Sequence, residues 1–249
     1  MTAASRIAGF LRRREPTVDP RWEFHSFSYL RHNARRLEHL ASLRIPVAGK
    51  RVLELGAGIG DHTAYYLDRG CHVTSAEARP ENLEVLRNRY SGPGMTIVPM
   101  DLDSPSEIHG KPFDVVHCYG LLYHLKNPQE CLGFISAHCG GMLFLETCVS
   151  FGTGIAIHAL QEDRNSASQA FSGWGCRPTR PWVFGQLEKH FQYVFCPTTQ
   201  PNHEEFPIDW TAPEKQKAPL QRAIFVASRS QIKNDQLVPF LPDTQLRCD

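Results

Sequence analysis

The stretch Arg51-Val52-Leu53-Glu54-Leu55-Gly56-Ala57-Gly58-Ile59-Gly60 decides the fold. Val52, Leu53 and Leu55 form a short apolar run suited to a buried strand. Glycines follow at positions 56, 58 and 60, and Asp61-His62-Thr63 opens a helix. Glycine suits such a turn because positive φ costs it little and no side chain keeps the backbone from a ligand. A ligand held there sits beside the N-terminus of the following helix. The next apolar strand, Cys71-His72-Val73-Thr74-Ser75-Ala76, leads to Glu77. An acid ~20 residues beyond the glycines is the usual partner for ribose hydroxyls in nucleoside sites.

Downstream, strands and helices alternate. A helix over 61–69 stops at Gly70, and a second opens at Pro80-Glu81-Asn82 and stops at Ser91-Gly92-Pro93-Gly94. Strand three is Met95 to Met100, and Phe113-Asp114-Val115-Val116-His117-Cys118 is strand four. Asn127-Pro128 starts a helix to about Ala137. Gly140-Gly141 reads as a turn before strand five, Met142 to Glu146. This alternation predicts an α/β fold, a mostly parallel sheet with helices on both faces. Ligands in such sheets sit at the carboxyl ends of the strands. Gly56, Glu77, Asp101 and Tyr119 all fall at such ends.

Before the glycine turn, Phe24, Phe27, Tyr29, Leu30, Leu37, Leu40 and Leu43 recur at helical spacing from Trp22 to Leu43. After strand five the pattern lapses over 147–181, a polar and glycine-rich irregular stretch. A helix over 181–190, strand six over 191–195, a polar loop over 198–207 and a last strand over 223–228 follow. From Gln231 the chain is broken by prolines and is expected on the surface.

The chain of 249 residues carries a formal net charge of +1, which advertises no broad nucleic-acid surface. No apolar run reaches the length of a membrane span. The eight cysteines form no C-x-x-C pair. They read as small reduced core residues of a cytoplasmic protein, with no metal site expected. Arg6 and Arg12-Arg13-Arg14 lie in a stretch without acids until Glu15, a faint transit-peptide character set against a plain solvated tail.

Glu54-x-Gly56-x-Gly58-x-Gly60 resembles the E/D-x-G-x-G-x-G signature of class I S-adenosylmethionine (SAM) methyltransferases, not the dinucleotide pattern G-x-G-x-x-G. The resemblance spans about residues 51–146. It implies a Rossmann-like, seven-stranded sheet with an N-terminal helical lid and a cap inserted after strand five. SAM is the implied cofactor, with S-adenosylhomocysteine (SAH) as product. The implied cofactor-binding residues are Glu54, Gly56, Ala57, Gly58, Gly60, Glu77, Ala78, Asp101, Leu102 and Tyr119, with Arg31 from the lid. Asp101 would accept from the adenine amine, while Asp103 is read as a cap of the next turn. Tyr29 and His32 join Arg31 as lid residues, with surface solvation the competing account of Arg31. Trp174 and Trp182 are read either as packing of the cap or as substrate contacts.

A narrower likeness, in Gly120-Leu121-Leu122-Tyr123-His124 and Asn127-Pro128, is to the tRNA wobble-uridine carboxymethyltransferases. The expected organisation is a basic tail and lid over 1–45, a cofactor domain over 46–230 with its cap at 147–181, and a tail over 231–249.

Methyl transfer to oxygen or nitrogen calls for positioning and a base. His124, after strand four, is read as that base or as packing of its loop. His203 with Glu204 is read as a second pair or as plain loop residues, Glu146 at the end of strand five as facing substrate or as capping a turn, and His158 is a weaker choice. The expected function is methylation of a small-molecule oxygen or nitrogen. RNA modification and non-catalytic SAM binding are the alternatives. The expected partners are a small-molecule acceptor and a second copy of the chain, with nucleic acid less favoured and no membrane.

Overall fold

A computed structural model describes residues 19–248. The arginines at 6 and 12–14 lie outside the described residues. Two helices come first, α1 (Arg21–Phe24) and α2 (Phe27–Ser42). The single helix expected over 22–43 is broken because Ser26 takes extended backbone, φ −60° and ψ 150°. Then come β1 (Arg51–Leu55), α3 (Thr63–Leu67), β2 (His72–Glu77), α4 (Pro80–Arg89), β3 (Met95–Pro99), β4 (Phe113–Tyr119), α5 (Pro128–His138) and β5 (Cys139–Cys148). The second half holds β6 (Ile157–Gln161), β7 (Trp174–Pro178), α6 (Arg180–His190), β8 (Tyr193–Pro197), β9 (Thr199–Gln200), β10 (Arg222–Ser228), β11 (Leu237–Val238) and β12 (Leu246–Arg247).

The main sheet has the order β11-β8-β10-β5-β4-β1-β2-β3. β1 to β5 run parallel, and β10 runs antiparallel to both β5 and β8. Alternate residues of each strand feed two cores, as the period of two requires. Val52, Val115, Ile224 and Val226 pack with Leu40 of α2, Leu43 just after it and Tyr66 of α3. Leu53, Val116, Phe225 and Ala227 pack with α5 and α6 on the other face. Helices therefore cover both faces, as expected. Among the described residues no helix is long and apolar enough to cross a membrane.

Three details depart from the expectation. The sheet has eight strands because the segment after Gln231 does not simply lie on the surface: β11 pairs with the open edge of β8. Gln245 is buried there and donates to the Pro197 carbonyl at 2.7 Å. An open edge offers unpaired backbone groups that a later segment can fill. Gly140-Gly141 is no turn but the start of β5, where a Cβ on Gly141 would lie 2.2 Å from the Asp114 carbonyl oxygen. The stretch 147–181 is not wholly irregular, since β6 and β7 pair as an antiparallel hairpin.

A chain of buried neutral imidazoles fastens α2 to the sheet. Tyr66 donates its hydroxyl to His117 Nδ1 at 2.9 Å, and the His117 and His62 rings meet at 3.0 Å. His62 Nε2 reaches Asn33 Oδ1 at 3.2 Å, and Arg36 donates to the same oxygen. One tautomer satisfies every link: each ring donates from Nε2 and accepts at Nδ1. Burial holds His62 well below the usual imidazole range and pushes His117 down to about 3. His39, also buried, is lowered to about 4.

Unfolded imidazoles take up protons near pH 6.5, whereas these rings resist until far lower pH. The unfolded state then binds more protons, so stability falls as pH drops. Burial raises Glu54, to about 7, and Glu77, and both work in the opposite direction. The imidazoles outnumber them. The melting temperature, followed by circular dichroism, is expected to fall steadily from about pH 6.5 to pH 4. A flat profile would refute the neutral assignment.

Candidate functional site

The glycine turn is tight, with φ of +67°, +56° and +86° at Gly56, Gly58 and Gly60. A Cβ would meet the Leu121 side chain at Gly56 and the Phe24 ring at Gly58, both at 3.0 Å. At Gly60 it would collide with Leu86 and Tyr90 at 2.5 and 2.6 Å. Gly60 therefore serves helix packing and lines neither part of the cavity described next. Gly56 and Gly58 line both parts. The Gly58 N–H donates to Glu77 Oε2 at 2.8 Å, and the Arg79 N–H donates to Oε1 at 2.8 Å. Burial raises the Glu77 carboxyl, and these backbone donors pull it back. Glu54 lies beneath the turn, its Oε2 accepting from Thr63 at 2.6 Å and Ser75 at 2.5 Å.

The larger part of the cavity has a volume of about 80 Å³. Glu77 and Ala78 from the end of β2, Asp101 and Leu102 after β3, and Leu121 and His124 after β4 line it. Asp103 accepts from the Lys126 and Asn127 N–H groups at 2.7 and 2.9 Å, fixing the turn before α5. The roof is shared by Phe24 and Tyr29 of the two N-terminal helices and by Ala167 to Gln169 of the β6–β7 loop. Glu23 ties the two roofs together, accepting from Ser166 Oγ at 2.6 Å and the Ala167 N–H at 2.9 Å. Arg79 donates to the carbonyls of Arg164, Gln169 and Ala170 at 3.0 to 3.2 Å.

A smaller recess behind the turn is lined by Asn33, Arg36, Ala57 and Tyr119, with Gly56 and Gly58. The buried Arg36 Nε and Tyr119 hydroxyl have no hydrogen-bond partner among the described residues. Burial raises the Tyr119 hydroxyl far above its ordinary value, so it stays a neutral donor. Two buried donors without acceptors fit an anionic group, such as the carboxylate of an amino acid.

A third space, of about 360 Å³, adjoins the first through Tyr29, Ser168 and Gln169. Its wall is strongly polar, with His32, Arg177, His203 and Arg222 around Tyr123. Beneath it, fully buried Glu146 accepts from Arg36 at 2.6 Å and from Arg222 at 3.1 Å. Arg222 also donates to Glu205 at 2.7 Å and to the Tyr123 hydroxyl at 3.2 Å. His124 Nδ1 donates to Glu162 Oε2, which leaves the Nε2 lone pair of a neutral ring available. Burial lowers His124, and Glu162 opposes the shift only in part. Burial also pushes Glu162 up, but His124, the Ala170 N–H and Arg177 together hold it low.

Residues 27–193 match the family model described as "Methyltransferase domain". The chain belongs to this methyltransferase family. The chain is 27% identical over 139 residues to the ubiquinone biosynthesis O-methyltransferase of Actinobacillus pleuropneumoniae serotype 7 (strain AP76), covering 52% of this chain and 58% of that one. It is 31% identical over 121 residues to the protein of the same name from Xylella fastidiosa (strain 9a5c), covering 46% and 48%. The chain spans about half the length of the curated relatives it matches. The N-terminal domain of EvdMO1 with SAH bound superposes with a TM-score of 0.59 at 21% identity, covering 79% of this chain and 80% of that one. The 1,6-didemethyltoxoflavin-N1-methyltransferase of Burkholderia thailandensis superposes with a TM-score of 0.54 at 19% identity, covering 84% of each. These structural likenesses establish the methyltransferase fold.

The fold brings most of the expected cofactor residues together. Gly56, Gly58, Glu77, Ala78, Asp101 and Leu102 line the larger cavity, and Glu54, Ala57 and Tyr119 line the recess. Arg31 does not join them. It stands at the third space and is bonded to exposed Glu204 at 2.7 and 2.8 Å. Arg36, five residues further along α2, reaches the recess instead. Glu146 is sealed under its two arginines rather than facing the substrate side. His203 lies by the third space, but Glu204 is 3.8 Å away and engaged with Arg31. His158 is exposed on the hairpin. Trp182 is buried in the core, and Trp174 is half exposed on β7. Sequence reasoning missed Glu162, Glu23 and Arg222. Only Arg222 carried a signal, a charge at the head of the apolar run Ala223-Ile224-Phe225-Val226.

Proposed function

We propose that the protein transfers a methyl group from SAM to an oxygen or nitrogen of a small polar molecule. One observation carries the reading: a cavity built on the glycine turn and Glu77 opens, through Tyr29, Ser168 and Gln169, onto a second space lined by charged and hydrogen-bonding groups. SAM supplies a methyl on a sulfonium whose leaving group is already good, so the protein's part is placement. Glu77 would accept from the ribose hydroxyls, and Asp101 from the adenine amine. Arg36 and Tyr119 would donate to the amino-acid carboxylate. His124, through Nε2, takes the acceptor's proton, and Glu162 holds the ring. The roof made by Phe24, Tyr29 and the β6–β7 loop excludes water. Buried cysteine thiols, with no disulfide recorded among the described residues, support a cytoplasmic location. The exposed Trp22 and Phe27 of the lid support a homodimer.

Calorimetric titration with SAH tests the reading. Saturable binding by the folded chain at micromolar concentration is expected, about −8 kcal/mol. A folded chain that takes up no SAH would end it.

A further inference from the structure

Beside the acceptor space, His32 on α2 and His203 and Glu205 on the loop after β9 converge. Each offers one donor atom, and these atoms lie within 4.8 Å of one another. His32 Nδ1 is 3.3 Å from Glu205 Oε2. The two imidazoles stand edge to face with centroids 4.9 Å apart. His32 and His203 are only 7% and 6% exposed. The other ring nitrogen of His32, Nε2, has no hydrogen-bond partner among the described residues. A buried polar atom left unmatched is costly and calls for an explanation. None of the three has a task in the methyl-transfer scheme above.

We propose that His32, His203 and Glu205 bind a divalent first-row transition ion of the zinc, cobalt or nickel kind. Two imidazoles and one carboxylate suit these ions. Magnesium and calcium prefer all-oxygen shells. Three protein ligands leave positions open, and these face the acceptor space, where water or an acceptor oxygen completes the shell. Arg222 Nε holds Glu205 Oε2 at 2.7 Å and so orients the carboxylate from outside the shell. Its positive charge opposes the ion, as do Arg31 and Arg36. Each of these arginines is matched to a carboxylate: Arg31 to Glu204, Arg36 to Glu146, and Arg222 to Glu146 and Glu205. Three glutamates balance these three arginines, and Arg177 is matched to Glu162, while Arg247, which donates to the His203 carbonyl at 2.9 Å, adds one positive charge beside the site. His203 and Glu205 also lie beyond residues 27–193, the part that matches the family model. The ion's role toward an acceptor rests on the methyl-transfer reading. Its binding does not.

The test uses the full chain stripped with a chelator and titrated with cobalt(II), followed by calorimetry and visible absorption. A single ion per chain with imidazole-type absorption is expected. The affinity should fall about a hundredfold in His203→Ala and about tenfold in Glu205→Gln. His32→Ala should behave like His203→Ala if it folds. Glu205→Gln keeps the side-chain shape and decides the matter if both histidine variants fail to fold. No stoichiometric binding by the native chain, or equal binding by the folded variants, overturns the proposal. SAH titration of the same preparation separates the two readings. A chain that takes SAH but not cobalt sinks only the metal site, and one that takes cobalt but not SAH sinks only the cofactor reading.

Discussion

Glu146→Ala is expected to destabilise the fold by about 3–5 kcal/mol, a large share of the stability of a domain this size. The carboxylate lies in β5, fully buried, between Arg36 of α2 and Arg222 of β10. Removing it leaves two guanidinium groups, 3% and 6% exposed, without that counter-charge. Arg222 keeps Glu205 and Tyr123, but Arg36 keeps only a neutral contact, Asn33 at 3.2 Å. Most of the cost should therefore fall on the docking of α2, the element that roofs the cofactor cavity. Glu146→Gln keeps the volume and one acceptor oxygen, so its cost should be smaller. Urea unfolding followed by circular dichroism measures both. A loss below about 1 kcal/mol for Glu146→Ala would mean that water replaces the carboxylate, as at exposed pairs. It would also reopen the reading of Glu146 as a residue facing substrate.

The contrast between Glu146 and Glu77 shows what a sequence can and cannot disclose. The place of Glu77 in the cavity lining was legible because it follows from local order: strand, glycine turn, helix, strand, acid. Each step is fixed by neighbours in the chain, and the parallel topology then brings the strand ends together. Glu146 sits at an equally conspicuous strand end, but its task is set by partners 110 and 76 residues away. The same holds for Glu162, 38 residues from His124, and for Glu23, which reaches Ser166 across 143 positions. Hydrophobic periodicity reports burial and direction, not which charged groups will meet. Gly60 teaches a subtler lesson. The third motif glycine is required, but by the packing of Leu86 and Tyr90 of α4 and its flank, not by a ligand. The eighth strand was hidden for a related reason. Leu237-Val238 has no strand pattern of its own, and only the open edge of β8 makes it one.

His124→Ala should lower kcat by about 10²- to 10⁴-fold, the usual worth of a positioned base, while SAH still binds. The assay supplies labelled SAM and a panel of small polar oxygen and nitrogen acceptors. Base catalysis needs the neutral ring. Burial holds the His124 imidazole below its ordinary value near 6.5, so the ring is neutral throughout the physiological range. The rate should therefore rise with pH only on the acid side of about 6.5 and stay level above it. Glu162 stabilises the protonated ring and so raises its pKa against the effect of burial. Glu162→Gln removes that charge, and the acid limb should move to still lower pH. The turnover should fall as well, because the ring loses the partner that fixes its Nδ1 proton and its orientation. A residue that merely packs the loop would change the amplitude and leave the limb where it was. If Glu162→Gln leaves the pH profile in place, His124 does not carry the acceptor's proton, and the transfer proceeds on an acceptor that needs no base.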